Sequence, residues 1–140
     1  MGIRDQNLEA TGAVYLTFEI SQTGGVDDLK NADIGKAVQL TANYRVKPTA
    51  DGTQLLGKLT ALTLADADNG ERKATVQVAG VMSLPMTTTY PTLGNRVVGA
   101  VGGKVKQAPA LAGYDPAGGA IARGTVLSVS GTTECTLYLN

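Results

Sequence analysis

Between Leu55 and Met86 the sequence reads as two strands meeting at a polar turn, and this stretch restricts the fold more than any other. Leu55, Leu59 and the run Ala61-Leu62-Thr63-Leu64 are apolar or β-branched. Ala74-Thr75-Val76-Gln77-Val78 alternates polar with apolar, and a period of two puts one face of a strand into a core and the other into water. Asp66 to Glu71 lies between them and carries Asn69-Gly70, a pair that tolerates positive φ at both central positions of a hairpin turn. A chain built around such a hairpin must supply further strands to cover its apolar face.

The remaining sequence supplies them. Ala13 to Ile20 alternates, with Val14, Leu16, Phe18 and Ile20 on the expected core face and Tyr15, Thr17 and Glu19 opposite. Ser21 to Gly25 breaks the strand, and Val26 to Asp33 is expected to form one helical turn. Lys36–Thr41 and Tyr44–Lys47 read as short strands, followed by a Pro48–Gly52 loop. Pro85 marks a strand end or an edge, because proline cannot donate to a ladder. Asn95–Val101 and Lys104–Lys106 form a hairpin at Gly102-Gly103, and Ile121–Val129 and Glu134–Leu139 form another around Ser130–Thr132. Helix is nearly absent. The expected fold is all-β, a compact β-sandwich or small β-barrel (jelly-roll-like) of short antiparallel strands. Residues 13–140 form a single domain, preceded by an extended polar arm over 1–12 that lies on its own domain or on a neighbouring subunit.

The domain also divides into two similar halves, 35–78 and 94–139. Gly35, Val38, Val46 and Lys47 recur 59 positions later as Gly94, Val97, Val105 and Lys106. Gly57 and Leu59 match Gly124 and Val126 at an offset of 67, and Thr75, Val76 and Val78 match Thr136, Leu137 and Leu139 at 61. Shifting offsets fit changes in loop length, which cost little closure entropy.

Composition narrows the functions open to such a body. Twelve basic residues balance twelve acidic ones, whereas a nucleic-acid or acidic-membrane partner calls for a basic excess. A chain without net charge gains little from self-repulsion and associates readily. There is no histidine, so the commonest general base and neutral metal ligand are missing. Cys135 is the only cysteine; it sits between Glu134 and Thr136 and reads as a buried, inert thiol. Asp66–Glu71 lacks the ligand spacing of an EF-hand calcium loop. Gly99–Lys104 lacks the spacing of a phosphate loop, and Val105 replaces its Ser or Thr. The expectation is therefore a binding module and no enzyme, with no cofactor, no metal, no nucleic acid and no membrane partner.

The succession Gly35-Lys-Ala-Val-Gln-Leu, Leu55-Leu-Gly-Lys-Leu, Thr75-Val-Gln-Val-Ala-Gly-Val, Leu93-Gly-Asn-Arg-Val, Gly103-Lys-Val-Lys and Gly124-Thr-Val-Leu-Ser-Val resembles the small capsid decoration, or cement, proteins of tailed bacteriophages. The resemblance spans about residues 35 to 139 and rests on the rhythm of strands and glycines. It implies a virion protein, made in the bacterial host cytoplasm, that binds the capsid exterior as a dimer or trimer. It would bridge neighbouring major capsid protein subunits and stabilise the shell. Three regions are the expected contacts: Met1 to Gly12 with Ile3, Arg4 and Leu8; Ser83 to Leu93 with Pro85, Tyr90 and Pro91; and Gln107 to Ala120 with Leu111 and Tyr114. Tyr90 and Tyr114 are the natural aromatic anchors. The competing expectation is a receptor- or glycan-binding β module of a phage fibre or adhesin, against which the scarcity of aromatic residues argues.

Overall fold

The computed structural model describes residues 11–63, 72–109 and 119–140. In chain order the strands are β1 (Val14–Ile20), β2 (Gln22–Thr23), β3 (Val26–Asp27), β4 (Ala37–Ala42), β5 (Arg45–Pro48), β6 (Gly57–Leu62), β7 (Lys73–Pro85), β8 (Val97–Ala100), β9 (Lys104–Gln107), β10 (Thr125–Ser130) and β11 (Glu134–Leu139). The main sheet runs β1-β5-β4-β6-β7-β11-β10, and β1 also pairs with β7, so its first five strands close into a barrel. The all-β, small-barrel expectation holds. The expectation of short, antiparallel strands is corrected at two places. β1 and β5 pair in parallel through Glu19–Arg45 and Ile20–Val46, and β7 is 13 residues long.

β7 is long because it serves two sets of partners. From Lys73 to Ala79 it lies between β6 and β1; from Gly80 to Pro85 it pairs with β11. The change of partner falls at Gly80, whose φ of +100° suits glycine. A Cβ there would stand 2.7 Å from the Thr11 carbonyl oxygen and 2.8 Å from Ala13 Cα. Thr11 accepts a hydrogen bond from the Val81 N–H at 2.9 Å, which ties the chain preceding β1 to this bend. Alternation placed Gln77 on a solvated face, but it is buried. Its Nε2 donates to the carbonyls of Ala79 and Val81, each at 3.2 Å, holding the backbone on both sides of Gly80. A buried amide is stable there because it is hydrogen-bonded.

The pairings of the first barrel recur in the rest of the chain. Val38–Pro48, Gln39–Lys47 and Leu40–Val46 correspond to Val97–Gln107, Val98–Lys106 and Gly99–Val105, at an offset of 59. Leu59–Val76 and Leu62–Ala74 correspond to Val126–Leu137 and Val129–Cys135, and a register shift interrupts both ladders at the same place. β1, which lies outside the two halves read from sequence, also has a counterpart. Tyr15–Gln77, Leu16–Val76 and Phe18–Ala74 become Val81–Tyr138, Met82–Leu137 and Leu84–Cys135, so the second part of β7 plays the role of β1. Single hydrogen bonds follow. Gly35 N–H donates to Leu59 O at 2.7 Å and Gly94 N–H to Val126 O at 2.9 Å; Ser21 N–H donates to Val46 O at 2.9 Å and Thr87 N–H to Val105 O at 3.0 Å. Bridges Met86–Val105 and Val97–Arg123 complete the second circuit of pairings.

Each circuit has its own core. Phe18, Ile20, Leu29, Val38, Val46, Leu59, Ala74 and Val76 fill the first. Leu84, Met86, Val97, Val105, Val126, Cys135 and Leu137 occupy the matching positions of the second, beside Met82 and Leu139. Both are dense in aliphatic side chains, the main stabilising contribution in a body of this size. Val14 and Leu16, expected in the core, are instead about half exposed (47% and 49%), because β5 pairs with β1 only from Glu19 onward. The helical turn expected at Val26 to Asp33 is replaced by β3 and a 3₁₀ turn over Asn31–Asp33, whose Asp33 carboxylate accepts the Lys30 N–H at 2.8 Å. The turn residues Asp66 to Glu71 lie outside the described residues, as does the arm before Thr11.

Candidate functional site

The segment after β7 meets the first residues of the expected Gln107–Ala120 region, Gln107 to Pro109. The connection after β7 runs beside the end of β9, with Gln107 N–H donating to Thr89 O at 2.8 Å. Thr89, Lys106, Gln107, Ala108 and Pro109 line an open depression of about 260 Å³. Asn95 braces the connection, since its Oδ1 accepts the Thr92 N–H at 2.7 Å. Lys106 Nζ reaches Asp51 Oδ1 at 2.7 Å, an ion pair largely open to water and worth ~0–1 kcal/mol.

The individual residues fare differently. Tyr90 is exposed and available, and Leu93 beside it is 67% exposed. Pro85 ends β7 half-buried opposite Glu134. Pro91 is buried and is removed from the contact set; it packs inward where the chain turns towards β8. Ile3, Arg4, Leu8, Leu111 and Tyr114 lie outside the described residues.

Sequence reasoning missed an apolar hollow at the rim of the first barrel. Phe18, Leu40, Ala42, Asn43 and Tyr44 line a concavity of about 440 Å³. Leu40 is 50% exposed, and Tyr44, at the tip of the β4–β5 hairpin, is 75% exposed. Tyr44 has a φ of +59°, uncommon for a residue with a bulky side chain. Leu16 lies two residues before Phe18 on the same strand face, so it extends the apolar rim. The signal available in sequence was the tyrosine of Asn43-Tyr44, an aromatic residue in a hairpin turn.

Chemistry-bearing groups are few. Among the described residues no three His, Cys, Asp or Glu side chains converge to hold a metal ion, and no helix is long and apolar enough to cross a membrane. Cys135 is buried in the second core; burial, with a smaller effect from Glu134, pushes its thiol up to about 11. The unfolded thiol loses its proton near pH 9. Stability is therefore full below pH 9 and falls between about pH 9 and 11, by roughly 3 kcal/mol in all. Denaturation midpoints across that window should drop for the wild type and stay flatter for Cys135→Ala. In comparisons with family models, with characterised proteins and with solved structures, nothing matches this chain.

Proposed function

We propose that this chain is a structural virion protein that binds the outer surface of an assembled phage capsid, bridges neighbouring coat subunits and associates with itself. The observation that carries the reading is a stiff two-circuit body presenting apolar side chains at fixed places on its outside. β7 is common to both circuits, and Arg123 ties them again with hydrogen bonds to the carbonyls of Leu55, Leu56, Val78 and Asn140, at 2.8 to 3.2 Å. Tyr90 and Leu93 stand out from a connection that β9 holds in place. Loops on a rigid scaffold suit recognition, and small contacts repeated over a closed shell accumulate by avidity. The rhythm of strands and glycines shared with phage decoration proteins supports the same assignment.

Empty shells of the phage mixed with purified chain provide the test. The chain should co-sediment with them in saturable stoichiometry and raise their melting temperature. Removing residues 1–10, while keeping the Thr11 carbonyl that holds Val81, should weaken binding without lowering the chain's own melting temperature. Shells that sediment without the chain and melt unchanged would contradict the assignment.

A further inference from the structure

The two circuits do not depend on each other equally. The first core, from Phe18 to Val76 with Leu56, Leu62 and Val78 against it, draws all its described members from the first half of the chain. The second core does not close with its own half. Ala37 and Leu55, which precede β7, are buried in it beside Met82, Leu84, Val97 and Val105. The backbone repeats this dependence. Thr49–Thr53 lies along the β8–β9 hairpin: Gly99 N–H donates to Thr53 O at 2.6 Å, Gly52 N–H to Gly99 O at 3.0 Å and Gly103 N–H to Thr49 O at 3.3 Å. The buried Thr49 hydroxyl adds a bond shared between the carbonyls of Ala100 and Lys104, each at 2.9 Å. A Cβ on Gly99 would stand 2.7 Å from Thr53 Oγ1, so the hairpin is fitted closely to the loop. Three of the four acceptors of Arg123, at Leu55, Leu56 and Val78, also belong to the first half.

We infer that the circuits open in a fixed order: the second opens as a unit while the first stays folded, and the first opens only after the second. Opening the second leaves the aliphatic core of the first covered. Opening the first alone would strip Ala37 and Leu55 from Met82 and Leu84 and take three acceptors from the Arg123 guanidinium, so the second would not survive it. Cooperative units of unequal stability are usual in folded chains. The Tyr90–Leu93 connection lies in the half that opens. A shell that grips it would hold that half closed, and this consequence alone rests on the virion assignment. The order of opening does not.

Native-state hydrogen exchange of the full chain, under conditions that report the opening equilibrium, tests the order with a matched pair of variants. Val46 and Val105 occupy equivalent, fully buried positions in the two cores. In the wild type, amides of β8 and β11 should exchange through a common opening, at least about tenfold faster than those of β4 and β6. Val105→Ala destabilises the closed second circuit against every opening, so both sets should exchange about tenfold faster. Val46→Ala destabilises the first circuit whether or not the second is closed. It should speed β4 and β6 about tenfold and leave β8 and β11 within about twofold of the wild type. Leu55→Ala, in the first half by sequence but in the second core by packing, should act on both sets as Val105→Ala does. Wild-type amides that all exchange through one opening would overturn the inference. So would variants that each affect only their own circuit, or Val46→Ala acting on both sets while Val105→Ala acts on β8 and β11 alone.

Discussion

Replacing Gly80 with valine should lower the stability of the whole chain by about 3 kcal/mol or more, a drop of about 10 °C in melting temperature. Two costs add. A side chain at a φ of +100° is strained, and its Cβ would press on Thr11 O and Ala13 Cα at under 3 Å. Both contacts are backbone, so no side chain can swing aside. The effect should reach both circuits because Gly80 is where β7 passes from one to the other. Hydrogen exchange should show lost protection in β1 and β11 together. Loss confined to β1 would mean that the circuits are independent and that β7 does not couple them. Gly80→Ala should follow the same direction with a smaller loss.

Arg123→Met should cost about 3–5 kcal/mol, the second large effect. The guanidinium donates to four backbone oxygens from three separate segments. Burial pulls its pKa below the ordinary value, yet an arginine remains charged throughout the accessible pH range. Methionine keeps much of the apolar stem and leaves those carbonyls without their shared donor. Arg123→Lys should recover only part of the loss, because one ammonium cannot span the same fork of acceptors. Urea denaturation of the three proteins checks the order wild type, lysine, methionine. Equal stability for all three would show that the segments around Leu55, Val78 and Asn140 need no pin.

What the sequence made legible follows from which interactions are local. Turns at Gly102-Gly103 and Ser130–Thr132 sit where the backbone needs glycine or a small polar residue, and alternation located β4, β6 and β11 within a residue or two. Partner choice was hidden. Val78-Ala79-Gly80-Val81 reads as one uninterrupted strand, and nothing nearby announces that β1 lies beside its first part and β11 beside its second. Closure of the barrel decides that, and it brings distant residues together. Gln77 looked solvated for the same reason, since its acceptors, Ala79 O and Val81 O, face it only once the strand bends. Leu16 and Leu40 carry the alternation of core residues; they are exposed because each lacks a strand on one side, β5 pairing with β1 only from Glu19 onward and β6 with β4 only at Ala37 and Val38. Exposure was legible at Tyr90, a large residue on a braced connection. It was hidden at Pro91, where a proline beside an exposed tyrosine gives no hint of its own burial.

A reconstruction of the native particle, resolved well enough to see strands, tests the central claim most directly. Such a map should show density for a two-circuit β body on the outer face of the capsid, touching at least two coat subunits. The Tyr90–Leu93 connection should lie against the shell. Capsids bare of such density, or the same body found at the tip of a tail fibre, would contradict it.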